Sequence, residues 1–364
     1  MVHLTDPSDQ DGTSVPAVPT AADGGEPRRP HALLAMDPGT FALLFLGPQQ
    51  ARLQRLARVG SPLCVQDLAT PEARERLADV EVLVTSWGAP ALTAEVLDAA
   101  PHLRAVLHAA GSVRGLVTDA VWDRGLLVTS AAEENARPVA EFTLAAIVLA
   151  GKRAPWFAAT ARTRRDGWSF GQQVGHRELT NRGRTIGVVG FSRIGRRVVE
   201  LLRVLENDAV LVVDPVADPA EVAAAGAELV DLPELLRRSD VVSLHAPSLP
   251  ATYRMIGAAE LALLRDGATL VNTARGALVD TAALEAECAS GRIDAVLDVT
   301  DPEPLPPGSV LHDLPNVMLT PHVAGSLGSE TRRMSDAALD ELERYALGLA
   351  PLAPVTRAHL EVIA

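Results

Sequence analysis

The sequence predicts an α/β protein of two doubly wound parallel-sheet domains, one inserted into the other. Three observations carry this expectation. Short apolar runs bounded by turn residues alternate with helix-length segments, the rhythm of parallel strands covered on both faces. The alternation occurs in two separate series. And 364 residues are more than one average hydrophobic core organises, so two cores are expected.

In chain order, residues 1–30 contain Asp6, Pro7, Ser8, Asp9, Asp11 and Gly12, then VPAVPTAADGGEPRRP. They offer few large apolar groups to bury and read as a mobile tail. The first strand series is ALLAM (32–36), LCVQD (63–67), VEVLVTSW (80–87), LRAVLHAA (103–110) and LLVTS (126–130). PQQARLQRLARV (48–59) and TAEVLDAA (93–100) place apolar residues at spacings of three and four, as helices do. A helical segment from Asn135 to about Arg153 leads into the second series. That series is TIGVVG (185–190), AVLVVD (209–214), DVVSLH (240–245), ATLVNT (268–273), DAVLDV (294–299) and NVMLT (316–320). Between these runs lie the helices RIGRRVVELLRVL (193–205) and TAALEAECASG (281–291), the latter ending on a glycine where a C-cap belongs. A last helix covers 329–348. The simplest topology makes 31–134 and 325–364 a discontinuous outer domain for substrate, and 135–324 an inserted dinucleotide-binding domain, both Rossmann-like or flavodoxin-like.

Composition narrows the function. With 33 Lys and Arg against 46 Asp and Glu, the net charge is −13, which repels nucleic acid and anionic membranes, so neither is expected as a partner. Cys64 and Cys288 stand in no CxxC or metal-ligand spacing, and His108, His176 and His312 form none either, so no metal is expected. The absence of a long apolar run and of a secretory pattern points to the cytoplasm.

GFSRIG (190–195) follows an apolar strand and opens an amphipathic helix, the context that gives a glycine pattern meaning as a dinucleotide site. Gly190 permits the tight turn, and Gly195 lets helix and strand approach. Ser192 replaces the middle glycine, while Arg193 and Ile194 begin the helix whose N-terminal amides face the pyrophosphate. Nineteen residues beyond Gly195, Asp214 ends a strand where its carboxylate can accept from the adenosine ribose hydroxyls. A carboxylate there repels a 2′-phosphate, so the cofactor expected is NAD.

Further on come VNTARG (271–276), LDVTDPEP (297–304) and LTPHVAG (319–325), each where a strand gives way to a loop. With NARPVAEFTLA (135–145) and SLHAP (243–247), these segments resemble, in order, the D-isomer-specific 2-hydroxyacid dehydrogenase family over roughly residues 80–330. The resemblance implies that Arg275 holds the substrate carboxylate and carbonyl, that Glu303 partners His322, and that His322 is the acid–base group. The residue types suit the chemistry. Hydride addition to a 2-oxo carbon leaves charge on oxygen, and a histidine donates a proton near neutral pH without large tuning. A carboxylate against the ring fixes its tautomer and raises its pKa. An arginine fork matches a carboxylate. The resemblance also places Thr273 and Ala274 at the cofactor, with His245 and Pro247 lining its cleft. Asp298 accepts from the nicotinamide carboxamide or else serves as a cap or turn residue.

Two segments depart from the family pattern. HAAGSVRG (108–115) stands where V-G-V-D is usual, although the amides of Gly111, Ser112 and Val113 can still cradle a carboxylate. Arg114 then either meets a second anionic group or forms an internal salt bridge. Thr300 stands where an aromatic is common. Trp87 and Trp168 are candidates for the pocket wall, although a tryptophan is more often a core residue than a ligand contact. The function implied is hydride transfer between NAD(H) and a small 2-hydroxy or 2-oxo acid, of the glyoxylate, hydroxypyruvate or phosphoglycerate kind, by a homodimer. The alternative is an NAD(H)-sensing, corepressor-like interaction protein on the same scaffold.

Overall fold

The strands form where near-continuous runs of Val, Leu, Ile and Ala can be buried on both faces of a sheet. A computed structural model of the chain describes residues 28–163 and 178–362. Trp168, His176 and the proposed tail through residue 27 lie outside the described residues. By contact, two compact units separate: Asn135–Leu327, and the residues on either side, up to Glu134 and from Gly328.

The outer unit begins with β1 (His31–Ala35), β2 (Arg58–Val65), β3 (Val82–Thr85), β4 (Ala105–His108) and β5 (Leu127–Ser130). The central unit supplies β6 (Thr185–Val189), β7 (Ala209–Val213), β8 (Glu228–Leu229), β9 (Val241–Leu244), β10 (Thr269–Asn272), β11 (Asp294–Leu297) and β12 (Val317–Leu319). The chain then returns to the outer unit with a helix, Thr331–Ala346, and β13 (Pro354–Val355).

The outer sheet runs β13-β5-β4-β3-β1-β2, parallel except where β13 pairs antiparallel with β5. The central sheet runs β12-β11-β10-β9-β6-β7-β8 and is wholly parallel. Strand order reverses between β6 and β9, and at such a reversal the loops at the carboxyl ends diverge and leave a crevice. Period-two alternation divides each strand between two cores. Leu34 and Met36 pack with Phe45, Leu339 and Tyr345 on one side of the outer sheet, while Leu33 and Ala35 pack with Leu83 and Val106 on the other. In the central sheet, Val189, Leu244 and Leu297 serve one face, and Val188, Val271 and Val296 the other.

Three local readings are corrected. β2 begins at Arg58, five residues before the expected start, because an edge strand tolerates Gly60 and Pro62 by bulging. Its register with β1 jumps from Ala32↔Val59 to Leu34↔Cys64. β8 and β13 were not expected, since two-residue strands carry no period. Residues 28–30 belong to the folded unit and not to a tail. Arg28 pairs with Glu81 and lies over the Tyr345 ring at 5.5 Å, and Arg29 donates to the Ala57 carbonyl at 3.0 Å.

Candidate active site

The glycine turn after β6 is built by close contacts that exclude side chains. Gly190 has φ 98°, and a Cβ there would lie 2.6 Å from the Ala246 nitrogen. A Cβ on Gly195 would lie 2.0 Å from the Gly190 carbonyl oxygen, so the helix Arg193–Leu201 starts directly against the turn. Ser192 takes a role the sequence did not show. It is the helix N-cap: its hydroxyl donates to the His245 carbonyl at 3.0 Å and accepts from the Gly195 amide at 3.4 Å. The side chain is thereby engaged with its own domain. Asp214, at the end of β7, accepts from the Phe191 amide at 2.7 Å and the Val216 amide at 2.9 Å. It ties the glycine turn to the next strand's loop, and each carboxylate oxygen retains a further lone pair for a ligand hydroxyl.

The proposed acid–base residues come from two neighbouring strands. Glu303, in the loop after β11, and His322, in the loop after β12, meet through Oε1 and Nδ1 at 2.7 Å. That bond leaves Nε2 as the nitrogen able to exchange a proton with a ligand. Both side chains are about half exposed, at 43% for Glu303 and 52% for His322.

His322 has a left-handed backbone, φ 55°, rare outside glycine. What holds it there is Asp298, buried at the end of β11. The Asp298 carboxylate accepts from the Thr320 hydroxyl (2.5 Å), the Val323 amide (2.8 Å) and the Ala324 amide (2.9 Å), and its carbonyl accepts from the His322 amide (2.9 Å). Of its two sequence readings, the turn role is the one seen here. Thr320, whose hydroxyl braces this turn, was not singled out in the sequence, its only signal being its place at a strand end.

Arg275 leaves the end of β10 exposed, with Nη1 donating to the Ala274 carbonyl at 2.6 Å. Asn272 organises this turn, another role not foreseen: its amide donates to the Arg275 carbonyl at 2.8 Å and its oxygen accepts from the Ala274 amide at 3.1 Å. The Thr273 hydroxyl is buried against that of Thr143 at 2.8 Å. At Gly276 a Cβ would sit 1.9 Å from the Thr300 carbonyl carbon. The arginine turn therefore packs on the backbone of the loop leading to Glu303. Thr300 contributes a hydroxyl to the Pro302 carbonyl at 2.9 Å, bracing that loop where an aromatic is common.

In the outer unit, the amides of Gly111, Ser112 and Val113 donate to no acceptor among the described residues. Three successive unpaired donors suit an anion. Arg114 donates to the Leu360 carbonyl. His108 supports the loop from beneath, with Nδ1 2.9 Å from the Thr85 hydroxyl and a ring hydrogen bond to the Ser112 backbone.

Burial pulls the His108 pKa down to about 4 and that of His245, whose Nε2 lies 2.8 Å from the Ser243 hydroxyl, to about 3. Both are neutral in the fold and must be protonated only on unfolding. Their stabilisation is full above the unfolded-state pKa near 6.5 and is lost as pH falls from there toward their folded values. Urea unfolding is expected to show stability declining from pH 6.5 to 5, each histidine contributing up to about 1.4 kcal/mol per pH unit. A flat profile there would contradict the neutral buried pair.

Residues 145–324 match the D-isomer specific 2-hydroxyacid dehydrogenase, NAD binding domain. The D-3-phosphoglycerate dehydrogenase of Mycobacterium bovis is 36% identical over 301 residues, covering 81% of this chain and 54% of that one. The glyoxylate reductase of Korarchaeum cryptofilum is 33% identical over 300 residues, covering 79% and 86% respectively. The holo D-mandelate dehydrogenase of Rhodotorula graminis superposes with a TM-score of 0.75 at 26% identity, over 90% of this chain and 98% of that one. The chain spans about half the length of the phosphoglycerate dehydrogenases it matches. A glycine turn at the strand reversal and a carboxylate-backed histidine at the neighbouring strand ends agree with these likenesses: the chain belongs to the D-isomer specific 2-hydroxyacid dehydrogenase family and carries its NAD binding domain.

Proposed function

We propose that this chain is an NAD-dependent dehydrogenase that interconverts a small 2-oxo acid and its 2-hydroxy acid, with reduction the working direction. The observation that carries the reading is the 2.7 Å bond between Glu303 and His322 at the carboxyl end of a sheet whose glycine turn suits a dinucleotide.

The cofactor fits the residues present. The cradle at Gly190 and Gly195 admits no side chain, the amides of Arg193 and Ile194 open a nine-residue helix whose N-terminus would hold the pyrophosphate, and Asp214 has lone pairs for the ribose. Pro247, Thr273, Ala274 and His245 lie at these strand ends and would line the cofactor, and the remaining lone pair of Asp298 would accept from its carboxamide. When bound, NADH supplies the hydride. Arg275 takes the substrate carboxylate, which orients the carbonyl, and the Gly111–Val113 amides are anion donors of the outer unit. As C2 gains hydride, the carbonyl oxygen gains a proton from His322 Nε2. Arg275 lowers the energy of the charge developing on that oxygen. Glu303, accepting from Nδ1, stabilises the protonated ring before transfer and fixes its tautomer after it. Oxidation reverses these steps.

NADH consumption with a panel of glyoxylate, hydroxypyruvate, pyruvate and bulkier 2-oxo acids tests the reading. Turnover with none of them would leave it without support. The cofactor preference is tested separately. Asp214→Ala is expected to narrow the ratio of NADH to NADPH efficiency by about tenfold or more, since the removed charge repels a 2′-phosphate. A ratio unchanged by that substitution would place ribose recognition elsewhere. Assembly as a homodimer and a cytoplasmic location belong to the same proposal. No described helix is long and apolar enough to cross a membrane.

A further inference from the structure

The carboxyl ends of the outer sheet carry the loops that would face a substrate held by the Gly111–Val113 amides, and their charged groups are acidic apart from one arginine. β3 and β4 end in register at Thr85 and His108, whose side chains bond to each other at 2.9 Å and are both buried. Burial keeps His108 neutral, so this pair offers no cation. Among residues 36–41, 66–70, 86–91, 109–115 and 131–134, the basic residue is Arg114, against Asp37, Asp67, Glu133 and Glu134. The Arg114 guanidinium is turned to the Leu360 carbonyl. The helix that starts at Pro38 has its first free amides taken by Asp37, which accepts from Gly39 at 2.8 Å and from Thr40 at 3.2 Å. A phosphate monoester needs cations beyond the amides that take the carboxylate to replace its water, and the one these loops hold, Arg114, donates to the Leu360 carbonyl.

They do present an aromatic surface. Trp87 follows β3 on a pinned backbone. Its carbonyl accepts from the Asp37 amide at 3.0 Å, and the preceding Ser86 hydroxyl donates to the Ala109 carbonyl at 2.8 Å. The following Gly88, at φ 80°, lies so close to Asp37 that a Cβ would come within 2.6 Å of it. Yet the tryptophan residue is 40% exposed. An indole 40% exposed gains by burying an apolar ligand group, and its fixed backbone lowers the entropy of ordering it.

We infer that the substrate is a 2-oxo acid with an uncharged apolar side chain that rests on Trp87, and not a phosphorylated one. This rests on the dehydrogenase reading and on the Gly111–Val113 loop as its carboxylate site. It separates the chain from the activity in the printed names of its phosphoglycerate dehydrogenase relatives.

The test measures kcat/KM with NADH for glyoxylate, phenylpyruvate and phosphohydroxypyruvate in the full chain and in Trp87→Ala and Trp87→Phe. Glyoxylate has no side chain and serves as the internal control. Phenylpyruvate is expected to exceed phosphohydroxypyruvate by about tenfold or more. Trp87→Ala should lower the ratio of the phenylpyruvate to the glyoxylate value by about tenfold, with Trp87→Phe restoring much of that ratio. If phosphohydroxypyruvate equals or exceeds phenylpyruvate, or if Trp87→Ala weakens all substrates alike, the inference is overturned while the dehydrogenase reading stands. If none of the three is reduced, both are overturned.

Discussion

Replacing His322 with glutamine is expected to lower kcat by a factor of about 10²–10⁴ with NADH affinity unchanged. Glutamine keeps a polar group of similar reach but cannot give and regain a proton near neutral pH. The side chain is half exposed, so its loss leaves no buried cavity, and a fall in turnover reports chemistry and not unfolding. Steady-state kinetics paired with a fluorescence titration of NADH separates the two quantities. A variant that keeps more than half of its turnover would remove His322 from the reaction.

Asp298→Ala is expected to act on stability and turnover together. The Asp298 carboxylate accepts from one hydroxyl and two amides in a buried setting. Unpaired buried donors cost about 1–3 kcal/mol each, so the sum is about 3 kcal/mol or more. A thermal melt should show this as a Tm lower by roughly 10 °C. Turnover should fall further than the folded fraction does, because the left-handed backbone at His322 persists only while its surroundings hold it. A variant with normal Tm and normal kcat would mean that the turn is held by something else.

The two doubly wound sheets were legible because their strands are buried on both faces, and that leaves long apolar runs that period and length can identify. The strand ends were legible for the same reason, so the order of Arg275, Glu303 and His322 at successive loops could be read directly. Roles within those loops were not. Ser192 looks like a defect in a glycine pattern, and only the fold shows its hydroxyl between the His245 carbonyl and the Gly195 amide. Asp298 and Thr320 lie 22 positions apart, and no local period links them. Arg28 and Arg29 read as part of a polar tail, since their acceptors, Glu81 and the end of a helix, are distant in sequence.

By itself, then, the sequence determined the two series of long strands and the helices between them, where the glycine turn lies, and which strand-end residues are of a type suited to proton transfer and anion binding. Those properties follow from residue type and near-neighbour spacing. Only the tertiary structure decided which hydrogen bonds those groups make: Glu303 to Nδ1 of His322, the Asp298 carboxylate to the turn that carries His322, and Thr85 to a neutral His108. Each is a pairing across strands of a parallel sheet, and parallel neighbours are joined by long crossovers. Their partners are therefore set by strand order and register, which no stretch of sequence contains.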